Sequence, residues 1–197
     1  MSHFDRFHGE DLTVIVSELL VATADHADPL LDSTVGEVLR SLRERLALDV
    51  VFVSEFTEGR RIFRYVDRAA RAPALRPGDS GPLEESFCIR VVDGRLPGLI
   101  HDAAALPADL DVPPVPFRVG GHLSVPIVLA DGSTYGTLCC FSTAPRPDLR
   151  QKDLETLRLC ASLVVRKLEL VKRVGLAAPD WQLEPIEPCR PPVRNLR

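Results

Sequence analysis

Four polar side chains near the middle of the sequence are of types that bind ligands or exchange protons: Cys88, His101, His122 and Ser124. His122 and Ser124 are two positions apart in an apparent strand, so they share one of its faces. His101 precedes Asp102, and since neighbouring strand residues face opposite ways, these two do not form a dyad. We expect a hydrogen bond from His101 to fix the following loop. We also predict that the four polar side chains converge in a mostly apolar pocket.

The predicted ligand-binding set is completed by two aromatic residues, Phe87 and Phe117. Two histidines and a cysteine are also donors for a metal ion or a haem iron, but they lack a recognisable ligand spacing, so we predict no metal site. Cys88 has two interpretations. It is either a ligand contact or redox-sensitive thiol, or a small buried hydrophobe.

The five cysteines are Cys88, Cys139, Cys140, Cys160 and Cys189. Their odd number, and the adjacency of Cys139 and Cys140 on opposite strand faces, argue against a disulfide framework. No C-x-x-C pair occurs, which argues against structural zinc. We therefore predict reduced thiols. A redox enzyme would need an accessible Cys88 thiolate and a second cysteine within disulfide reach, whereas we place Cys139 and Cys140 on a far strand.

Composition limits the class of protein. The 197 residues suffice for one well-packed domain, and 45% apolar with 26% charged residues is typical of a soluble globular protein. A formal net charge of -4 argues against a nucleic-acid partner. No apolar run approaches the roughly 20 residues of a membrane span, and the first residues do not resemble a secretory signal. We expect a cytoplasmic protein without a membrane partner.

The spacing of apolar residues changes between 3.6 and 2 along the chain, which predicts helices on both sides of a β-rich middle. The predicted helices are at 11–25, from Thr34 onward, at 84–93 and at 148–175. The predicted strands are at 50–56, 61–67 and 99–101, with two more in a hairpin at 120–142. Residues 69–82 and 103–119 are rich in proline, glycine or alanine and are predicted to be irregular.

The last predicted helix carries a heptad-like apolar row, in which steps of three and four alternate: Leu154, Leu157, Ala161, Val164, Leu168 and Val171. Packing against the chain's own core or contact with a second copy explains such a row. A second apolar row beside it favours a homodimer. We divide the chain into an N-terminal helix for dimerisation or signalling at 1–32, a domain at 33–174 and a proline-rich tail at 175–197.

Two segments resemble one known family. Residues 120–142, GGHLSVPIVLADGSTYGTLCCFS, combine a V-P-I strand, a D-G turn and a Y-G-T-L-C-C-F strand. They closely resemble the last hairpin of the GAF family of small-molecule sensor domains. Residues 83–103, LEESFCIRVVDGRLPGLIHDA, look like the pocket-lining part of many bacterial GAF domains. The resemblance, over about 33–169, implies an α+β, GAF/PAS-like fold: a central antiparallel sheet of five to six strands, terminal helices on one face and ligand-pocket loops on the other.

The resemblance also allows subtypes of the family to be weighed. GAF domains that bind cyclic nucleotides usually carry an N-K-F-D-E-type motif, which has no counterpart in this sequence. Bilin-binding GAF domains attach the chromophore to a cysteine commonly followed by histidine, whereas Ile89 follows Cys88. The related free-methionine sulfoxide reductases use several pocket cysteines in a fixed arrangement, and this chain offers only Cys88 in the pocket segment.

The resemblance thus implies a non-catalytic sensory domain that binds an unidentified small molecule and signals through its terminal helices. The expected partners are a second copy of the chain and a separate signalling protein, and the sequence names no cofactor. Two alternatives stay open. One is a ligand-free dimerisation scaffold whose pocket is filled by its own Phe87 or Phe117. The other is a GAF-type redox enzyme that resembles a free methionine sulfoxide reductase.

Overall fold

The computed structural model describes residues 30–107, 109–110 and 112–174. The predicted helix at 11–25 and the proline-rich tail at 175–197 lie outside these described residues. The proposed domain boundaries therefore stay predictions.

Long helices flank a β-rich middle that contains one short helix, as the apolar spacing predicts. In chain order they are α1 (Leu30–Leu46), β1 (Val50–Thr57), β2 (Arg60–Arg68), β3 (Ser80–Pro82), α2 (Phe87–Val92), β4 (Leu99–Ile100), a 3-10 turn (Ala103–Ala105), β5 (His122–Val128), β6 (Thr134–Phe141) and α3 (Gln151–Val174). The prediction was wrong at β3, which was assigned to a loop. The predicted helix at 84–93 begins later, because Ser86 caps it and its Oγ accepts a hydrogen bond from the Ile89 N–H.

The six strands form one sheet in the order β3-β2-β1-β6-β5-β4, and every neighbouring pair is antiparallel. β1 and β6 lie at the centre and pair from Val50 opposite Phe141 to Glu55 opposite Gly136. Their backbones approach so closely at Gly136 that a Cβ atom there would lie 1.9 Å from the Ser54 carbonyl oxygen. Glycine is therefore required at this point of the sheet.

Helices α1 and α3 cover one face of the sheet. Their apolar side chains form one buried cluster with residues of β1, β5 and β6, including the fully buried Leu42, Val53, Leu123, Leu138 and Leu157. We call this the helix-facing cluster. Burying these side chains contributes about 1.5–3 kcal/mol each relative to exposure, so this layer supplies much of the stability.

Four residues of the heptad-like row in α3 belong to the helix-facing cluster: Leu154, Leu157, Ala161 and Val164. Each is at most 5% exposed within a single copy of the chain. Packing against the chain's own sheet therefore explains this part of the row. The homodimer stays a prediction, but these four residues do not support it.

The opposite face of the sheet is covered by α2 and by loops. Its buried residues form a second cluster, rich in aromatic side chains, which includes Phe52, Phe63, Phe87, Cys139 and Phe141. We call this the cavity-facing cluster. The predicted fold is confirmed: a six-stranded antiparallel sheet has the helices that flank it in sequence on one face and loops on the other.

Candidate functional site

A cavity of about 240 Å³ lies in the cavity-facing cluster, between the sheet, α2 and the loop that precedes β5. Its lining residues are Phe52, Arg61, Phe63, Leu75, Asp79, Ser80, Phe87, Cys88, Val115, Pro116, Phe117, Val119, His122 and Phe141. Most of these side chains are apolar, and five are aromatic phenylalanines. A concave, largely apolar space with a few polar groups is the usual form of a small-molecule site.

Two anchoring interactions hold the walls of the cavity in place. Arg90 on α2 donates hydrogen bonds to the carbonyl oxygens of Glu84 and Ser86, which ties down the turn before Phe87 and Cys88. Nη2 of Arg118 donates to both carboxylate oxygens of Asp102 at 2.9 Å, and this ion pair fixes the loop that carries Phe117. The ring of Phe117 stacks on Phe141 with 5.4 Å between centroids.

Arg61 supplies the positive charge at the cavity. Its guanidinium carbon lies 4.3 Å from the centroid of the Phe63 ring, so the cation rests on an aromatic face. Its Nε atom is buried and has no hydrogen-bond partner among the described residues. The other lining residue with a formal charge, Asp79, accepts a hydrogen bond from the Arg76 backbone N–H at 2.9 Å. Arg61 thus carries an unused donor beside the cavity.

His122 is the second polar group with unused hydrogen-bonding capacity. Its side chain is almost completely buried, with its ring centroid 5.3 Å from that of Phe87. Burial lowers the pKa of His122 to about 4, so the imidazole is neutral near pH 7. Its Nδ1 atom has no partner in the part of the chain that the structure describes. A neutral imidazole nitrogen either donates or accepts a hydrogen bond, which suits it to a polar group of a ligand.

Cys88 lines the cavity and is in contact with a second thiol. Its Sγ lies 3.7 Å from Sγ of Cys139 and accepts a hydrogen bond from the Ser54 hydroxyl at 3.8 Å. Cys139 also contacts the hydroxyl oxygens of Ser124 at 3.0 Å and Thr137 at 3.2 Å. The hydrogen bond with Cys139 and the charge of Arg61 lower the pKa of Cys88, although burial opposes them. Burial raises the pKa of Cys139.

The structure brings four of the six predicted ligand-binding residues to the cavity: Phe87, Cys88, Phe117 and His122. Ser124 shares the cavity-side face of β5 but is not a lining residue, and its hydroxyl contacts Cys139 instead. His101 lies elsewhere, because Ile100 at the end of β4 takes the buried position and the next residue is exposed. Its Nε2 donates a hydrogen bond to the Leu149 carbonyl oxygen at 3.0 Å, which ties the segment before α3 to this strand end.

Sequence reasoning missed most of the lining residues, among them Arg61, and it misplaced Cys139, which lies beside the cavity wall. Arg61 was one of several arginines in a strand, and alternation with Phe63 was the only signal that it faces the same side as an aromatic residue. Cys139 was placed on a far strand, which is wrong: β6 is central, and Cys139 lies opposite both Phe52 of β1 and Ser124 of β5. The second cysteine within reach of Cys88, which a redox enzyme requires, is therefore present.

A sequence model that describes the GAF domain matches residues 30–169, most of the chain. The chain belongs to the GAF family. Within the described residues of this GAF domain, no helix is long and apolar enough to cross a membrane. The same residues contain no group of three or more His, Cys, Asp or Glu side chains that would hold a metal ion.

Solved structures resemble this GAF domain in fold. The GAF domain of an Acinetobacter phosphoenolpyruvate-protein phosphotransferase is 16% identical, with a TM-score of 0.65 over 89% of this chain and 98% of that one. The chromophore-binding domain of a bacteriophytochrome from R. palustris is 14% identical, with a TM-score of 0.61 over 87% of this chain and 64% of that one.

A third similar structure is a free methionine-R-sulfoxide reductase from Neisseria meningitidis, solved in complex with its substrate. It is 15% identical, with a TM-score of 0.63 over 88% of this chain and 98% of that one. No curated protein matches the sequence. At these identities the likeness is one of fold, so function must be argued from the cavity itself.

Proposed function

We propose that this GAF domain is a non-catalytic sensor that binds a small anionic molecule with an aromatic or apolar body. The observation that carries the proposal is the pair of unused nitrogen atoms, Nε of Arg61 and Nδ1 of His122, at a largely apolar cavity. The carboxylate in its wall, Asp79, already accepts a hydrogen bond from the Arg76 backbone N–H. A buried polar atom without a partner costs about 1–3 kcal/mol, and a ligand that supplies the partner recovers that cost.

The charges and walls of the cavity indicate the chemistry of the ligand. Arg61 favours a carboxylate or a similar anion, because a guanidinium forms short, charge-assisted hydrogen bonds with such groups. The phenylalanine side chains favour a flat apolar body, because aromatic rings pack well in offset-stacked or edge-to-face arrangements. With about 240 Å³, the cavity lies below the usual range for drug-sized ligands, so we expect a small metabolite.

The same features weigh against the ligand-free scaffold. In that alternative Phe87 or Phe117 fills the pocket. Phe117 instead stacks on Phe141 and Phe87 contacts His122, and the cavity remains beside both rings. Space that is lined by unused donors is an argument for an external occupant.

The proposed signal is a shift between two packings of the cavity walls. A ligand held by Arg61 on β2 and by the loop around Phe117 favours the packing in which the strand and the loop are closest. The sheet carries the change to α1 and α3 on its opposite face, and these helices pass it to a second copy or to a separate signalling protein. A cytoplasmic location completes the proposal, since the four described cysteines are free thiols.

Two measurements test the proposal. Native mass spectrometry of the purified protein, compared with the denatured mass, detects a molecule that has been carried through purification. Thermal unfolding with benzoate and with the neutral benzamide then probes the charge requirement. We expect benzoate to raise the melting temperature more than benzamide, because only benzoate pairs with Arg61.

A matched pair of variants localises the effect. Arg61→Gln should weaken benzoate binding by about tenfold or more, since it removes a charge-assisted hydrogen bond. Arg68→Gln removes the same charge from an exposed position at the other end of β2 and should leave binding unchanged. An empty native spectrum together with identical melting temperatures in both probes would contradict the sensor and favour the scaffold.

A further inference from the structure

Two thiols meet at the wall of the cavity, although 51 positions separate them in sequence. Cys88 is on α2 and lines the cavity, and Cys139 is on the central strand β6 directly beside it. Their sulfur atoms are 3.7 Å apart, so a disulfide of about 2.05 Å requires them to approach by about 1.7 Å. α2 is a short helix in a loop-covered layer, so this element is the one that can supply the movement.

The surroundings of the two sulfurs favour the thiolate at Cys88 and the protonated thiol at Cys139. Cys88 accepts hydrogen bonds and lies in the field of Arg61, and these interactions favour its thiolate. Burial keeps Cys139 in the protonated form, hydrogen-bonded to Cys88 and to two hydroxyl groups. Cys88 therefore has the character of an attacking sulfur and Cys139 that of a resolving one.

The other two described cysteines lack these features. Cys140 and Cys160 belong to the helix-facing cluster, on the opposite side of the sheet from the cavity. Burial raises the pKa of both thiols. They are equally free cysteines in the same chain and so serve as internal controls.

We propose that Cys88 and Cys139 form a reversible, peroxide-sensitive dithiol whose oxidant reaches Cys88 through the cavity. This redox response of the chain's own thiols goes beyond ligand sensing and holds whether or not the cavity takes an organic anion. The oxidant is a small hydroperoxide, with hydrogen peroxide as the simplest member.

The reaction has two steps, an oxidation of Cys88 and a condensation with Cys139. The Cys88 thiolate attacks the terminal oxygen of the hydroperoxide, the O–O bond breaks, and the leaving oxygen departs as water or an alcohol after taking up a proton. Cys88 is then a sulfenic acid. The sulfur of Cys139 loses its proton and attacks the Cys88 sulfur, the S–O bond breaks, and the hydroxyl leaves as water. Two electrons have passed to the peroxide, and a dithiol reductant returns two electrons and two protons to restore both thiols.

The disulfide also changes the proposed ligand site. Cys88 is part of the cavity wall, and Phe87 precedes it on the same helix. Drawing Cys88 toward β6 moves the start of α2 relative to His122, whose ring contacts Phe87. Oxidation and ligand binding therefore act on the same wall.

The experiment uses the full chain carrying Cys189→Ser, so that the thiol of the tail does not contribute. The protein is treated with a small excess of hydrogen peroxide, unfolded, alkylated and weighed intact. We expect two of the four remaining cysteines to escape alkylation, and the mass to lie about 2 Da below that of a reduced chain carrying two alkyl groups. Dithiothreitol should reverse both changes. Digestion should release a Cys88–Cys139 cross-linked peptide. The double variant Cys140→Ser/Cys160→Ser should behave in the same way.

Two single variants separate the roles of the sulfurs. Cys139→Ser should stop at a sulfenic acid on Cys88 that dimedone labels, because the resolving thiol is gone. Cys88→Ser should form no disulfide and leave Cys139 unlabelled. Arg61→Gln should slow oxidation of Cys88 by about tenfold, since it removes a charge that favours the thiolate.

Three results would overturn the proposal. They are a cross-link between other cysteines, dimedone labelling of Cys140 or Cys160 as fast as that of Cys88 in the Cys139→Ser protein, and no disulfide in the parent protein. Circular dichroism of each variant checks its folding. If Cys88→Ser is unfolded, Cys88→Ala replaces it, and the Cys139→Ser labelling result decides by itself.

Discussion

At the scale of single residues, His122 illustrates how burial sets a protonation state. The ordinary pKa of histidine, 6.5, falls to about 4 in the folded chain because the imidazolium would lose its hydration there. Between these two values the unfolded chain binds a proton that the folded chain does not. Titration of His122 therefore leaves the free energy of unfolding unchanged above pH 6.5 and lowers it progressively as the pH falls from 6.5 towards 4.

Burial of His122 should make the stability of the fold depend on pH. Lowering the pH from about 7 to about 4 should cost about 3 kcal/mol through His122 alone, since each pKa unit corresponds to about 1.4 kcal/mol. Urea unfolding of the parent and of His122→Asn at both pH values gives this contribution as a difference. Equal pH dependence in the parent and in His122→Asn would contradict the assignment.

Several residues of the candidate site follow from local sequence alone, and others do not. Phe87 and Cys88 follow because they share a short predicted helix in the segment that resembles a pocket wall. Cys139 and Cys140 show the limit: alternation puts them on opposite faces of β6 but does not say which one faces the cavity. That depends on strand order, which brings β6 between β1 and β5 from distant parts of the chain.

At the scale of elements, the pairing of β1 with β6 depends on one glycine. Gly136→Ala should lower the free energy of unfolding by about 3 kcal/mol, because its Cβ would clash with the backbone of Ser54 and neither central strand can move freely. Chemical denaturation measures the effect. Gly36→Ala is the control, since nothing lies within 4 Å of its Cβ in α1, and alanine there should stabilise by up to about 1 kcal/mol. Similar unfolding free energies for both variants would refute the close approach.

The elements that sequence reasoning recovered are those with strong periodicity or a distinct turn. The D-G turn of the last hairpin has Gly132 at a φ of +81°, the left-handed conformation expected of this dipeptide. β3 was missed because Ser80, Gly81 and Pro82 carry no apolar alternation. Its register is set by pairing with Arg60, Arg61 and Ile62 of β2 at the edge of the sheet, and not by its own sequence.

In the molecule as a whole, the helix-facing cluster packs α1 and α3 on one face of the sheet, and the cavity-facing cluster lines the cavity on the other. The assignment of α3 to the chain's own core is testable. Leu157→Ala should destabilise the protein by about 3 kcal/mol through loss of a fully buried side chain, at any protein concentration. Leu159→Ala, at a position that is 43% exposed, should change stability by less than about 0.5 kcal/mol.

Unfolding at protein concentrations about tenfold apart distinguishes the core from an interface, because a dimer interface makes stability depend on concentration. If the cost of Leu157→Ala depended on concentration, or if Leu159→Ala cost more, α3 would have to be assigned to contact between two copies.

Cys139 and Cys140 are consecutive residues of β6, yet the first belongs to the cavity-facing cluster and the second to the helix-facing cluster. At this point the barrier between the two compartments is the backbone of a single strand. The two side chains point to opposite faces because they are neighbours in the strand. The packing around Cys139 and the packing around Cys140, which includes Cys160 of α3, are thus separated by one backbone and by no loop.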